Sequence, residues 1–169
     1  GLASDEFPDT EYWPHQLYIR ECRRMIGDYV ITEHDCYQKS VAADSIGMGS
    51  YTMDSHNCSR FVRTEDGLAR VLNDGDVQIP PTDPYPVSYR SIVPKKGEST
   101  NLFVPVCFSA SHISYGSARM EPVFMVLGES AGLAAKLCLE NCCDVQDLPY
   151  DELYPELVKA DQILELPDR

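Results

Sequence analysis

The sequence predicts an α+β fold, and three observations carry that reading. The first half is built from short runs rich in Tyr, Ile and Val that partly alternate and are broken by Gly-Asp, Asp-Gly and Pro-rich stretches. That is the pattern of mainly antiparallel strands joined by turns. The last third opens on an apolar run, "NLFVPVC" (101–107), and passes through a polar loop into "EPVFMVLGESAGLAAKL" (121–137). A second amphipathic stretch, "VQDLPYDELYPELVKADQIL" (145–164), closes the chain. Strands grouped first and helices grouped last argue for segregated α and β elements rather than an alternating α/β order.

Taken in order, residues 1–14 are acidic and contain prolines, which suits an irregular lead-in. "QLYIRECRRMIGDYVIT" (16–32) reads as strand, turn and strand, broken near Gly27-Asp28, and a short helix is expected near 37–43. "SYTMDSHNCSRFVR" (50–63) alternates, so a strand there places Asp54 and His56 on one face. Asp74-Gly75 marks a tight turn between strands. "PPTDPYP" (80–86) holds four prolines in seven residues and excludes regular structure. "VSYRSIVP" (87–94) is a short strand. "NLFVPVC" is an apolar run between polar turns and reads as a buried strand, although Pro105 cannot donate to a central ladder.

The helix that follows begins cleanly. Pro122 suits a first helical position, and Glu121 puts negative charge near the positive end of the helix dipole. At 100° per residue Gly128, Ala131, Gly132 and Ala135 share one face. Val123, Val126, Leu127, Leu133, Ala134 and Leu137 cover most of the rest, which leaves Glu129, Lys136 and Glu140 as a narrow polar wedge. A helix apolar nearly all round is expected to be buried, with neighbours on at least two sides. In the closing helix, Pro155 must kink the helix or mark its true start. No internal repeat or low-complexity segment is visible.

Composition narrows the function classes. The 169 residues are 43% apolar and 24% charged, with 14 basic against 27 acidic residues and a net charge of −13. A nucleic-acid or anionic-membrane surface needs a basic face, so neither partner is expected. No apolar stretch reads as approaching the roughly 20 residues of a membrane span. No signal peptide is visible, and the chain opens Gly-Leu-Ala-Ser without a Met, as a processed product, an expression product or a fragment does. The seven cysteines include no CxxC pair, so zinc and cubane-type iron–sulfur sites lack the spacing they need. Cys142 and Cys143 are adjacent and read either as a vicinal disulfide or as two ordinary thiols at a helix end.

Several residues could carry chemistry. The loop between the 101–107 run and the long helix supplies Ser109, Ser111, His112, Ser114, Tyr115, Ser117 and Arg119. It leads to a helix N-terminus, where unpaired N–H groups and a partial positive charge can seat an anion or a polarised carbonyl. That loop is equally readable as a polar connection. Arg20, Arg23 and Arg24 are basic islands that suit surface ion pairs. Asp54 and His56 could form an acid–base couple or two metal ligands, with no third ligand evident. "PYPVSYR" supplies Tyr85, Tyr89 and Arg90, suited to gripping a polar or anionic substrate or to pinning a Pro-rich loop.

Four stretches together carry a family resemblance: "PHQLYIRECRRMIGDYVITEHD" (14–35), "DSIGMGSYTMDSH" (44–56), "GDVQIPPTDPYPVSYRSIVPK" (75–95) and "NLFVPVCFSASHISYGSARMEPVFMVLGESAGLAA" (101–135). They resemble the C-terminal half of FAD-dependent oxidoreductases of the glutathione-reductase-like superfamily, nearest the branch grouped with heterodisulfide-reductase flavin subunits. The resemblance implies a substrate or cap-side region (13–97), a returning strand–loop–helix of the FAD-binding domain (98–141) and a C-terminal helical segment (142–169). By the same resemblance, Arg119, Met120, Glu121 and Pro122 lie near the isoalloxazine, while Cys107, Ser111 and His112 line its approach. Tyr89, Arg90 and His56 are the substrate-side candidates. The implied cofactor is FAD in the complete protein, and the implied partners are a small organic substrate and an N-terminal FAD-binding half. The phosphate-binding Gly-x-Gly-x-x-Gly turn of that half does not occur in these residues. A non-catalytic interaction domain that keeps the family's elements is the alternative. A metal-dependent hydrolase using Asp54 and His56 is a third reading.

Overall fold

The computed structural model describes residues 4–16, 21 and 23–166. It is an α+β arrangement of antiparallel strand pairs and helices. In chain order the elements are α1 (Glu33–Cys36), β1 (Ser45–Gly49), β2 (Met53–Ser55), β3 (Ser59–Glu65), β4 (Leu68–Asp74), β5 (Val77–Ile79), β6 (Tyr85–Ser88), α2 (His112–Ala118), α3 (Glu121–Asn141) and α4 (Tyr150–Lys159). Short 3-10 turns occupy Pro8–Thr10 and Tyr89–Ser91.

Local chemistry explains the boundaries. Thr32 and Asp35 form a reciprocal capping box at the start of α1. The Ser111 side chain caps α2 by accepting from the Ser114 N–H. α3 starts with a proline in its first turn and stops at Cys142, whose φ of 52° is left-handed. The Cys143 N–H then reaches back to the Cys138 carbonyl at 3.0 Å, closing a Schellman-type end.

The strands pair as β1 with β6, β2 with β5 and β3 with β4, all antiparallel. β1 and β6 lie in the core, where Ile46, Tyr85 and Val87 are fully buried. α3 packs on β1 and donates a hydrogen bond from Ser130 Oγ to the Ile46 carbonyl at 2.7 Å. α4 covers the end of α3 with Leu153 and Leu157, both fully buried. α2 presses on β2 because Gly116 has no Cβ: one added there would stand 2.3 Å from the Asp54 carbonyl oxygen.

Several expectations change. α3 is buried along one stripe (Val123, Leu127, Ser130, Ala131, Ala134, Cys138), not all round. Met125 and Leu139 are more than 70% exposed, and a Cβ at Gly128 or Gly132 would meet nothing within 4 Å. The small-residue face is therefore open at Gly128 and Gly132, while Ala131 on the same face is buried. By length and composition α3 is also long and apolar enough to cross a membrane, contrary to the reading that no stretch approaches that length.

The 101–107 run forms no strand and is only partly buried. Pro105 lacks a donor; the run makes isolated backbone bonds at Val104 to Ile92 and at Cys107 to Met25, and further pairing follows two residues later. There Ser109 bonds Ser91 and Ile31, and Ser111 bonds Ile31. The first expected strand of 16–32 lies largely outside the described residues, and the second shrinks to a parallel bridge between Ile31 and Ala110. The early helix sits at 33–36, fixed by its capping box rather than by the 37–43 pattern.

The Pro-rich 80–86 stretch gives way to strand at Tyr85, with Pro86 opposite Met48. The "VSYRSIVP" run keeps only its first two residues in that strand before the 3-10 turn begins. The hairpin turn lies at 66–67, while Asp74-Gly75 is a corner leading from β4 to β5. The polar loop after 107 contains α2. Pro155 lies inside α4 rather than at its start.

Candidate functional site

The C-terminal end of α2 and the N-terminal end of α3 form a corner that gathers the charges the sequence scattered. Arg119, just past α2, is buried, and its Nη1 bonds Glu21 at 2.5 Å. Its Nη2 stands 3.5 Å from an Asp54 carboxylate oxygen and 3.5 Å from the Asp54 carbonyl. His112 Nε2 lies 3.1 Å from the other Glu21 oxygen, and Arg24 approaches that oxygen at 3.7 Å. Arg24 also stacks over the Tyr115 ring, 5.2 Å from its centroid, and donates to the Ala110 carbonyl. Burial pushes the Tyr115 phenol up to about 12, so it stays protonated. Its hydroxyl donates to the Val106 carbonyl at 2.8 Å.

The Arg119 Nε has no hydrogen-bond partner although it is buried. An orphaned guanidinium N–H is costly, of order 1–3 kcal/mol. It marks the corner as a place where a further acceptor would be stabilised. Glu21 is the residue sequence reasoning missed. Its only signal was an acidic residue set inside the basic "RECRR" stretch, of which Arg20 and Cys22 lie outside the described residues.

Of the flavin-side candidates, Arg119, Met120, Glu121 and Pro122 follow one another at the α2–α3 corner, whereas Ser111 and His112 stand at the other end of α2, His112 being tied to the corner through Glu21. Cys107 lies earlier, exposed, with its carbonyl accepting from the Met25 N–H at 2.8 Å. No side chain caps the start of α3. Beside it runs an apolar cleft of about 340 Å³ lined by Met48, Tyr51, Met120, Pro122, Val123 and Val126.

The substrate-side candidates separate. Tyr89 and Arg90 line a cleft of about 320 Å³ with Asp44, Leu148 and Tyr150. Tyr89 is buried and donates to the Val145 carbonyl at 2.6 Å, which pins the segment after α3. Arg90 is held by both oxygens of Asp44, at 2.9 and 3.2 Å, and stacks over Tyr29. His56 belongs to another cleft, with Asn57, Cys58 and Arg60 at the foot of the β3–β4 hairpin. Asp54 is committed to Arg119, which removes it from any couple with His56. Cys142 and Cys143 are free thiols, and among the described residues no cluster of three His, Cys, Asp or Glu could hold a metal.

These features fit the flavin end of FAD. A flat aromatic ring suits the apolar cleft, and an uncapped helix start together with a buried, partly unpaired guanidinium suits a polar ring edge. No Gly-x-Gly-x-x-Gly turn occurs in these residues. No curated protein and no solved structure matches the chain. One family model does, over residues 1–157, and its description is FAD dependent oxidoreductase. The chain belongs to the FAD-dependent oxidoreductase family, and its cofactor is FAD.

Proposed function

We propose that the chain is the C-terminal portion of a flavoprotein oxidoreductase of the glutathione-reductase-like superfamily, in the branch of heterodisulfide-reductase flavin subunits. Residues 13–97 would form its substrate-side region, 98–141 the returning part of its FAD-binding domain and 142–169 its C-terminal helical segment. An N-terminal segment carrying the ADP-binding turn would complete the site. The observation that carries this reading is the α2–α3 corner. An uncapped helix start and an apolar cleft lie there, next in sequence to a buried arginine with a free N–H, in a chain that matches the family along most of its length. The uncovered Gly128–Gly132 face of α3 supports the same reading, since it offers a close-packing surface to the completing segment.

When bound, FAD supplies the two-electron chemistry, accepting a hydride from an organic substrate. The protein's own residues orient and polarise the site. Arg119 offers its unpaired Nε–H from a buried position, where a hydrogen bond to an acceptor is stronger than in water, while its charge is shared with Glu21 and Asp54. Glu21 holds both Arg119 and His112, so the His112 ring is oriented at the rim of the corner. Met120, Pro122 and Val123 keep water from one wall of the cleft. Tyr89, Arg90 and His56 are proposed to meet substrate, with Arg90 oriented by Asp44.

The test is to express the chain with its upstream coding sequence and follow visible flavin absorbance through gel filtration and dithionite reduction. A protein that stays yellow, and that loses flavin on Arg119→Ala, agrees with the reading. A folded, colourless protein that takes up no added FAD overturns it in favour of a non-catalytic domain.

A further inference from the structure

The last turn of α3 and the turn that follows it carry three cysteines, and the backbone there sorts them. Cys138 is buried, Cys142 is exposed and Cys143 is partly buried, all as free thiols. At Cys142 the chain turns left-handed, with a φ of 52°. The Cys142 N–H then reaches the Leu139 carbonyl at 3.4 Å, and the Cys143 N–H reaches the Cys138 carbonyl at 3.0 Å. These are the two bonds of a Schellman end, which folds the chain back and sets the side chain after the turn against the one five positions earlier. An apolar pair frequently fills those two positions. Here both are cysteines.

The two side chains meet. The Cys138 and Cys143 thiols share a hydrogen bond, and burial, then the nearby Cys143, push the Cys138 thiol up to about 11. Both thiols also face Tyr89, whose phenol is pushed up by burial first and then by each of them. The Cys142 Sγ instead lies 3.7 Å from the Leu139 carbonyl. The backbone thus selects Cys138, not the adjacent Cys142, as the partner of Cys143, a choice that the sequence alone left open.

The pair sits where the segment after α3 is tied to the rest of the chain. Tyr89 donates to the Val145 carbonyl at 2.6 Å, and the Val145 N–H bonds the Thr100 carbonyl at 3.0 Å. Gln146 Nε2 donates to the Pro94 and Ser99 carbonyls at 2.8 and 2.7 Å. Tyr89, Gln146 and Leu148 line one cleft, so a bond between 138 and 143 would brace its wall. At about 1.5 Å per residue, Cys138 stands roughly 25 Å along α3 from the Glu121 end. A reaction at this end therefore does not depend on bound flavin.

We propose that Cys138 and Cys143 are a redox modification site, a dithiol that exchanges with low-molecular-weight disulfides and closes into an intramolecular disulfide across the Schellman turn. Cys143, the more accessible of the two, loses its proton to solvent and attacks a disulfide R–S–S–R′, forming a mixed disulfide and releasing R–S⁻. Cys138 then loses its proton and attacks the Cys143 sulfur, and R′–S⁻ leaves. Two protein thiols are oxidised to one disulfide while R–S–S–R′ is reduced to two thiols. The buried Cys138 reacts only because its partner is already in contact, which makes the second step intramolecular.

The test is to equilibrate the reduced, folded 169-residue chain with glutathione buffers of rising oxidised fraction, block the remaining thiols with iodoacetamide, unfold, and cleave after glutamate. Glu140 separates Cys138 from Cys142 and Cys143, so the bond appears as two joined peptides in a mass spectrum. Fragmentation should place it between 138 and 143. It should persist in Cys142→Ser, vanish in Cys143→Ser and be reversed by dithiothreitol. Closing so short a loop should raise the melting temperature by about 5 °C in the wild type and Cys142→Ser, and not in Cys143→Ser. Cys138 and Cys143 that both stay open to iodoacetamide under excess oxidised glutathione overturn the proposal. A glutathione adduct on Cys143 that never closes overturns it, as does a wild-type bond that runs through Cys142. A disulfide that lowers the melting temperature overturns it too, because the reduced turn would then not be set for closure. Should Cys143→Ser misfold, the wild-type and Cys142→Ser peptide maps still decide.

Discussion

At Asp44 burial and hydrogen bonding pull in opposite directions. Burial alone would raise its pKa, but hydrogen bonds from the Arg90 side chain, Ser88 and the Arg90 backbone outweigh it and hold the carboxyl below its ordinary value. A carboxylate depressed on folding contributes stability that is fully present above its unfolded pKa of about 4 and is lost as pH falls through the folded value. Arg90→Gln should therefore raise the pH of the acid-unfolding midpoint, measured by circular dichroism, and should cost only about 1 kcal/mol at pH 7, because Arg90 is half exposed. An unmoved acid midpoint would remove the pair from the acid response. Arg119 is a different case, since its side chain is buried and two carboxylates depend on it. Arg119→Ala leaves Glu21 and Asp54 without their shared cation, and breaking such a pair costs roughly 3–5 kcal/mol when fully buried. Both carboxylates keep about a quarter of their exposure, so about 2–3 kcal/mol is expected in urea unfolding. Glu21→Gln should cost less, because it keeps an acceptor for the guanidinium. Equal losses would mean that charge is not what holds the corner.

Two glycines separate the elements that touch from those that do not. Gly116→Ala drives a Cβ onto the Asp54 backbone, which cannot move aside as a flexible side chain would. A loss of about 1–3 kcal/mol is expected, despite the better helix propensity of Ala. Gly132→Leu meets open space, so in this chain it should be neutral or stabilising by up to about 0.8 kcal/mol. In a longer protein whose completing segment packs on α3, the same substitution should cost about 1–3 kcal/mol or expel flavin. Thermal melts of both lengths give the comparison, and a neutral result in both would mean that nothing ever covers this face. These positions also show what the sequence could reveal. The start of α3 was legible from Pro122 and Glu121, its small-residue face from spacing, and the grouping of strands before helices from alternation. Which face of α3 is buried was not legible, because periodicity shows that a side is apolar but not whether an element lies over it. The 101–107 run looked like a strand for a similar reason: apolar composition marks burial potential, whereas a strand needs a partner with matching donors. Glu21 escaped notice because its role depends on a contact with Arg119 across 98 positions, and no local pattern encodes such a pairing.

For the molecule as a whole, the asymmetry between the two ends of FAD has a direct consequence. The flavin end would meet an apolar cleft and an uncapped helix start, features that contribute modest affinity on their own. The pyrophosphate end carries negative charge, and this chain offers it neither a glycine-rich turn nor a favourable field, since its net charge is −13. The Arg119 charge is largely spent on Glu21 and Asp54, which leaves little to compensate the phosphates. A dissociation constant of about 1 μM requires about 8 kcal/mol of binding free energy. Half a cofactor on a half-open cleft falls short of that once lost translational and rotational freedom, some 4–15 kcal/mol, is counted. Equilibrium dialysis of residues 1–169 against FAD should accordingly show no saturable binding at low micromolar concentrations. Riboflavin, which lacks the phosphates, should bind no more weakly than FAD. Stoichiometric micromolar binding of FAD with much weaker riboflavin binding would mean that this chain holds the phosphates itself. The completing N-terminal segment would then be unnecessary, and the α3 face would be open for some other reason.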